Sequence, residues 1–105
     1  MDTFTDFDYK KYNFTVRDGI SIVNFYANWS FYSKVQKLIL KKVRQESGEK
    51  FKIYNVNCEK DKTLAEKFKI NFYPTLLIFK NGSIVNQLNG LQDKSTIEET
   101  IKKIV

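Results

Sequence analysis

The strongest constraint on the fold is an apolar run followed closely by an amphipathic segment. Residues 20–26 are mostly apolar, β-branched or aromatic, which is typical of a strand buried on both faces of a sheet. From residue 30 to about residue 47 the spacing of apolar residues predicts a helix that ends at Gly48. Its apolar positions are Val35, Leu38, Ile39 and Val43. A second strand is predicted over 51–56, and this alternation favours the α/β class.

The next segments predict a short helix and a hairpin. Asp61 begins the helix, and its apolar face contains Leu64, Ala65 and Phe68. A strand over 75–79 precedes Asn81-Gly82, a strong signal for a hairpin turn. Residues 83–88 then return as the partner strand.

Two more helices are predicted near the ends of the chain. One covers residues 8–17 and stops at Asp18-Gly19. The other covers 95–105, after a bend at Gly90, and its inward positions are Ile97, Ile101 and Ile104. The chain is therefore predicted to be one domain over residues 1–105, with a central sheet covered by helices on both faces.

Composition excludes several function classes. The sequence contains no histidine, which excludes His-based catalysis and His-containing metal sites within it. One cysteine, Cys58, can form neither an intradomain disulfide nor a zinc site, so no metal or cofactor is expected. It is interpreted as a buried small hydrophobe, with a reactive thiol as the alternative. No apolar run reaches the roughly 18–20 residues that a membrane-spanning helix needs.

The net charge of +6 raises the question of an acidic partner. Many cations fall on the helix predicted from residue 30, namely Lys34, Lys37, Lys41, Lys42 and Arg44. We interpret them as its solvated face. Because no stacking-aromatic motif or Gly-rich basic loop accompanies them, nucleic acid is not predicted as a partner. Binding to an acidic protein stays open and would weaken with salt.

Several short motifs carry a resemblance to a known family. They are Phe25-Tyr26-Ala27-x-Trp29, the helix with Lys34, Tyr73-Pro74-Thr75, Phe79-Lys80-Asn81-Gly82 and Gly90. In this order and spacing the chain closely resembles the thioredoxin superfamily over nearly its whole length. The resemblance implies a thioredoxin fold, in which a central mixed β-sheet is flanked by helices on both faces.

Within the superfamily, a finer resemblance points to the protein disulfide isomerases. Phe25-Tyr26-Ala27 and Val56-Asn57-Cys58-Glu59 are similar to motifs of that branch. The segment that ends at Trp29 and continues as Ser-Phe-Tyr-Ser resembles endoplasmic-reticulum chaperones that retain clients through a Cys-Arg-Phe-Ser motif. We therefore expect the endoplasmic-reticulum lumen as the location if the chain is an excised domain. The cytoplasm is expected if the chain is complete, because Met1 is not followed by a signal peptide.

The resemblance places Ser30 and Ser33 at the positions of the family's two redox cysteines. Serine oxygen does not take part in disulfide exchange, so catalysis by a pair of thiols is excluded in this sequence. Asn24 and Asn55 stand where the family usually buries a carboxylate and a nearby lysine that assist proton transfer. Three origins of Ser30 and Ser33 stay open: the motif is naturally free of thiols, one cysteine was replaced at position 30, or two cysteines were replaced. The neutral amides favour the first.

The predicted client groove surrounds these serines. The resemblance implies a surface tryptophan at Trp29 and a cis bond before Pro74, which would let the Tyr73 backbone pair with an extended client. Phe31 and Tyr32 are predicted as an exposed aromatic anchor, unless one of them folds back. The predicted groove residues are Trp29, Ser30, Phe31, Tyr32, Ser33, Tyr73, Pro74 and the 89–91 loop with Gly90. Ser30 is also a natural N-cap.

These features predict a redox-inactive module in protein folding and quality control. Its partners would be unfolded or partly assembled client proteins, or a thiol oxidoreductase. The alternative is a thiol–disulfide oxidoreductase or a one-cysteine retention chaperone in which serine has replaced the active cysteine.

Overall fold

The computed structural model describes residues 5–6, 16–48 and 50–105. The elements are β1 Thr5–Asp6, β2 Ile20–Tyr26, α1 Phe31–Ser47, β3 Lys52–Asn57, α2 Lys62–Lys67, β4 Thr75–Lys80, β5 Ser83–Asn89 and α3 Lys94–Ile104. The helix predicted over 8–17 lies outside the described residues, apart from its last two. The other predicted elements are confirmed, with ends that agree to within about one residue. In the described ranges no helix is both long and apolar enough to cross a membrane.

The strands form one mixed sheet in the order β1-β3-β2-β4-β5. β3 runs parallel to β1 and β2, with Asn24 opposite Asn55. β4 runs antiparallel to β2, and β5 runs antiparallel to β4. This arrangement confirms the central mixed sheet that the resemblance implied.

Helices cover both faces of the sheet and enclose two apolar cores. On one face α1 and α3 pack on strand residues, and the buried members are Ile22, Leu40, Val43, Phe51, Ile53, Leu76, Ile78, Ile97 and Ile101. On the other face α2 does the same, with Val16, Val23, Phe25, Val56, Cys58, Leu64, Ala65, Ile70, Leu77 and Phe79. β2 supplies both cores because successive side chains point to opposite faces. Its burial explains why this run has so few polar residues.

The buried face of α1 differs from the prediction. Its buried residues are Ser33, Gln36, Leu40 and Val43. Leu38, one of the four apolar positions from which this helix was predicted, is 66% exposed. It lies outside the buried face because residues 38 and 40 point about 200° apart around a helix with 3.6 residues per turn. The helix therefore presents an apolar side chain to solvent and buries an amide.

Gln36 takes a core position because its amide is satisfied. Its Nε2 donates to the Gln92 carbonyl at 3.1 Å, and its Oε1 accepts from the Gln92 N–H at 2.8 Å. Buried amides are tolerated when such bonds replace those to water. The pair fixes α1 against the segment that leads into α3.

The hairpin prediction at Asn81-Gly82 is confirmed. Both residues adopt positive φ, 50° and 88°, as a tight turn between twisted antiparallel strands requires. The Asn81 side chain accepts a 2.8 Å bond from the Gly19 N–H, and the Asn81 N–H donates to the Gly19 carbonyl at 2.8 Å. The turn is thereby held against the start of β2.

Candidate functional site

Ser30 lies at the N-terminal tip of α1 and is bonded on two sides. Its Oγ accepts from the Ser33 N–H at 3.2 Å, which makes it the N-cap of the helix. The same hydroxyl donates to the Tyr73 carbonyl at 3.2 Å. Ser30 is buried. One side chain thus caps the helix and ties it to the loop before β4.

Ser33 lies one turn further along and is also held internally. It is buried, and its Oγ accepts from the Ala27 N–H at 3.3 Å. The position that the family resemblance assigns to the second thiol therefore holds a hydroxyl that bonds the chain just after β2. Both predicted site serines lie together at the helix tip.

Asn24 and Asn55 form a buried amide pair on the neighbouring strands. The Asn24 Nδ2 donates to the Asn55 Oδ1 at 2.9 Å, and both residues are buried. Asn24 shares its face of β2 with Ile22, the face that packs against α1. The Asn24 Oδ1 has no hydrogen-bond partner within the described part of the chain. Neither amide can take up or release a proton at neutral pH.

An aromatic rim surrounds the Ser30–Tyr73 bond. We define it as Trp29, Phe31, Tyr32, Phe72 and Tyr73. Trp29 and Phe31 are each 71% exposed, and Tyr32 and Phe72 are exposed too, so neither Phe31 nor Tyr32 folds back. The Trp29 and Tyr73 rings meet edge to face with 5.8 Å between centroids. Sequence reasoning missed Phe72, although its place in a loop beside Tyr73 was an available signal.

The loop before β4 turns on a cis peptide bond between Tyr73 and Pro74, as the resemblance implied. Pro74 is buried, and its carbonyl accepts from the Gly90 N–H at 2.8 Å. The Tyr73 carbonyl is taken by Ser30. Among the bonds of the described residues, none uses the Tyr73 N–H. This backbone donor lies on the same residue whose carbonyl bonds the tip of α1.

A cleft of about 650 Å³ opens beside Trp29 and Tyr73. Its lining is apolar at Ala27, Cys58, Ala65 and Ile70 and charged at Glu59, Lys62, Glu66 and Lys69. Cys58 is buried. Burial, and secondarily the charge of Asp61, raises the pKa of this thiol to about 12. The prediction of a buried, structural cysteine is confirmed.

Cys58 should therefore resist alkylation in the folded chain. At about pH 8 the thiolate is the reactive form, and a pKa of about 12 leaves very little of it. We expect iodoacetamide to modify Cys58 about 100-fold more slowly in buffer than in concentrated urea. A mass-spectrometric time course measures this, and equal rates in the two solvents would contradict the burial argument.

A sequence model of the family described as Thioredoxin matches residues 3–103. The chain belongs to the thioredoxin family. It is 29% identical over 86 residues to the thioredoxin of Bacillus subtilis (strain 168), covering 82% of this chain and 83% of that one. It is 29% identical over 101 residues to the thioredoxin of Staphylococcus aureus (strain Mu50), covering 96% and 92%.

A solved structure extends the likeness to the fold. It is described as thioredoxin-2, a component of the malaria parasite protein secretion machinery, and it matches with a TM-score of 0.80. Sequence identity is 22%, and the match covers 82% of this chain and 84% of that one. The thioredoxin fold is thereby confirmed. These relatives are named thioredoxins, and they give no support to the finer resemblance to disulfide isomerases or endoplasmic-reticulum chaperones.

Proposed function

We propose that this thioredoxin-family domain binds extended polypeptide segments at the tip of α1 without dithiol exchange. The observation that carries the proposal is the pair of serine hydroxyls, both held in internal hydrogen bonds beneath an exposed aromatic rim. Disulfide exchange needs a thiolate that attacks sulfur. The sole thiol, Cys58, is buried and keeps its proton because its pKa is about 12.

The binding mode we propose is strand addition along the loop before β4. The Tyr73 N–H would donate to a carbonyl of the client, whose chain would lie extended beside it. Trp29, Phe31 and Tyr32 would contact apolar client side chains, since aromatic residues dominate binding hot spots. Gly90 and Leu91 would border the groove on the far side of Pro74. Clients would be unfolded or partly assembled proteins, which expose such segments.

Removing the two tip rings should weaken client binding without unfolding the domain. For Phe31→Ser/Tyr32→Ser we expect about tenfold weaker binding of a labelled, reduced and carboxymethylated protein, measured by fluorescence anisotropy. Exposed positions away from special backbone features change stability by only about 0.5 kcal/mol, so the urea midpoint should hardly move.

A matched control lies on β5. Ile84→Ser/Val85→Ser removes two exposed apolar side chains from the far edge strand. We expect it to leave client affinity within about twofold of the unsubstituted domain. Equal loss of affinity in both double variants would mean that binding is generally hydrophobic and not located at the tip.

A second candidate is a thiol–disulfide oxidoreductase or a one-cysteine retention chaperone in which serine has replaced cysteine. The names of the relatives favour it, since they are thioredoxins. Insulin-disulfide reduction by the chain as it stands tests our proposal alone, because under the second candidate this chain also lacks the active cysteine. Our proposal expects the background rate, and a rate above background overturns it. Insulin reduction by Ser30→Cys/Ser33→Cys separates the candidates, because our proposal expects it to be slow and a fast rate would support the second candidate.

A further inference from the structure

The solvent side of α1 carries a continuous stripe of exposed residues. We define the outer stripe as Phe31, Lys34, Leu38, Lys41 and Lys42, all of which are exposed. Their spacing of three or four places them on one face of the helix. The stripe begins at the aromatic rim, because Phe31 belongs to both. It then runs away from the site along the helix.

Positive charge is concentrated on this helix. α1 holds five cations and one carboxylate, so four of the six net positive charges of the chain fall on its 17 residues. The carboxylate, Glu46, is 2.7 Å from Lys94 on α3. Arg44 donates to the carbonyls of Gly48 and Phe51, at 2.8 and 2.9 Å. Neither residue neutralises the stripe.

Lys34, Lys41 and Lys42 have no carboxylate within ion-pair distance among the residues that the structure describes. Lys37, four residues before Lys41, is not part of the stripe, and its Nζ lies 3.4 Å from the centroid of the Tyr26 ring. Lys34 lies in the first turn, where the helix dipole disfavours a cation. Within the described residues, Lys34, Lys41 and Lys42 therefore add no ion pair to the domain.

Leu38 gives the stripe an apolar centre. It is 66% exposed and has lysines on the adjacent turns. Phe31 lies seven residues before it, so two apolar side chains are separated by two helical turns. Such spacing matches the i and i+7 anchors with which one amphipathic helix packs on another.

We propose that the outer stripe docks an acidic amphipathic helix of a partner protein. Carboxylates of the partner pair with Lys34, Lys41 and Lys42, and its apolar residues pack on Leu38. The charge of the stripe favours an acidic partner. The exposed Leu38 at its centre favours a partner that also has an apolar face over one that binds by charge alone. The proposal does not depend on the redox state of the tip or on client binding there.

Two synthetic peptides test whether the stripe prefers an acidic amphipathic helix. One is a labelled helical peptide with Leu at i, i+3 and i+7 and Glu between them, and the other has Gln in place of Glu. We expect the acidic peptide to bind at least about tenfold more tightly at low salt, and to lose this advantage as salt rises. Equal affinity for the two peptides overturns the proposal.

Variants of the domain locate the contact. For Lys34→Gln/Lys41→Gln/Lys42→Gln we expect about tenfold weaker binding of the acidic peptide. Leu38→Ser should weaken it about fivefold without changing the charge. The control Lys60→Gln/Lys62→Gln/Lys103→Gln makes the same change in net charge outside the stripe, and should alter the affinity less than about twofold.

Three outcomes would overturn the inference. The control triple variant could weaken binding as much as the stripe variant, which would indicate general charge attraction. Leu38→Ser could leave the affinity unchanged, which would remove the apolar centre. Vesicles rich in phosphatidylserine, or polyuridylic acid, could bind more tightly than the acidic peptide, which would identify a different class of partner. Circular dichroism confirms that each variant is folded.

Discussion

Replacing Asn24 with aspartate should lower the free energy of unfolding by about 2–4 kcal/mol at neutral pH. The side chain is fully buried, and its Nδ2 donates to the Asn55 Oδ1 at 2.9 Å. Aspartate removes this donor and places a second acceptor against the Asn55 oxygen. No charged side chain belongs to the buried set of the described residues, so an ionised carboxylate there would have no cation to compensate its desolvation.

The deficit should depend on pH with a defined sign. Burial raises the pKa of the introduced carboxyl in the folded state above its unfolded value of about 3.9. The folded state then binds the proton more tightly than the unfolded state does. The variant's free energy of unfolding is therefore highest below the pKa that this carboxyl has in the unfolded state. It falls as pH rises through the pKa that the carboxyl has in the folded state. Asn24→Asp should therefore be closest to the unsubstituted chain near pH 4 and furthest from it above neutrality.

Urea unfolding at about pH 4 and pH 7.5 measures both effects. Asn24→Ala is the matched control, because it removes the same hydrogen bond without adding a titratable group. Its deficit should be nearly the same at the two pH values. If Asn24→Asp and Asn24→Ala lose the same free energy of unfolding at both pH values, a carboxylate at this position is not desolvated.

The helices and strands could be predicted from short stretches of sequence because each one is determined mainly by residues within it or next to it. β2 is buried on both faces, so five of the seven residues in 20–26 are apolar or aromatic. Positive φ at Asn81 and Gly82 follows from side-chain chemistry that permits it. The N-cap role of Ser30 likewise needs only its own helix.

The errors arose where a side chain is satisfied by a distant part of the chain. Gln36 is buried because it bonds the backbone of Gln92, 56 residues away. No periodic pattern within α1 could show this, because Gln36 is polar, whereas the exposed Leu38 was counted among the apolar positions of the helix. At the site, the bond from Ser30 to the Tyr73 carbonyl crosses 43 residues. Sequence alone could place both residues near the groove but could not predict that contact.

The comparisons support the thioredoxin family and give no support to the finer resemblance to disulfide isomerases. It depended on a few residues around Trp29 and Cys58, whereas the family comparison uses residues 3–103. The longer comparison identifies thioredoxins among the relatives.

Introducing both cysteines should give a domain that forms a disulfide but reduces insulin slowly. In Ser30→Cys/Ser33→Cys the first sulfur takes the place of an N-cap atom that already accepts the Ser33 N–H at 3.2 Å. A helix N-terminus lowers the pKa of a thiol there, so the first attack on a client disulfide should proceed. The second cysteine would be buried, as Ser33 is.

The resolving step should limit this variant. The buried second thiol must lose its proton before it displaces the client, and the amides of Asn24 and Asn55 cannot accept one. General acid–base assistance contributes about 100-fold or more to such steps. Adding Asn24→Asp/Asn55→Lys should therefore raise the insulin-reduction rate of the two-cysteine domain by about 100-fold. The introduced lysine gives the carboxylate the cation that it lacks in Asn24→Asp alone.

Single-cysteine variants provide the controls for this comparison. Ser30→Cys should form mixed disulfides that persist, and Ser33→Cys should react slowly because its sulfur is buried. Unfolding curves must show that the four-substitution domain is folded under the assay conditions. If the two-cysteine domain is already as fast as the four-substitution domain, the amides do not limit exchange. Asn24 and Asn55 would then no longer indicate a site that never used two thiols, and replacement of cysteine by serine would become the better account of Ser30 and Ser33.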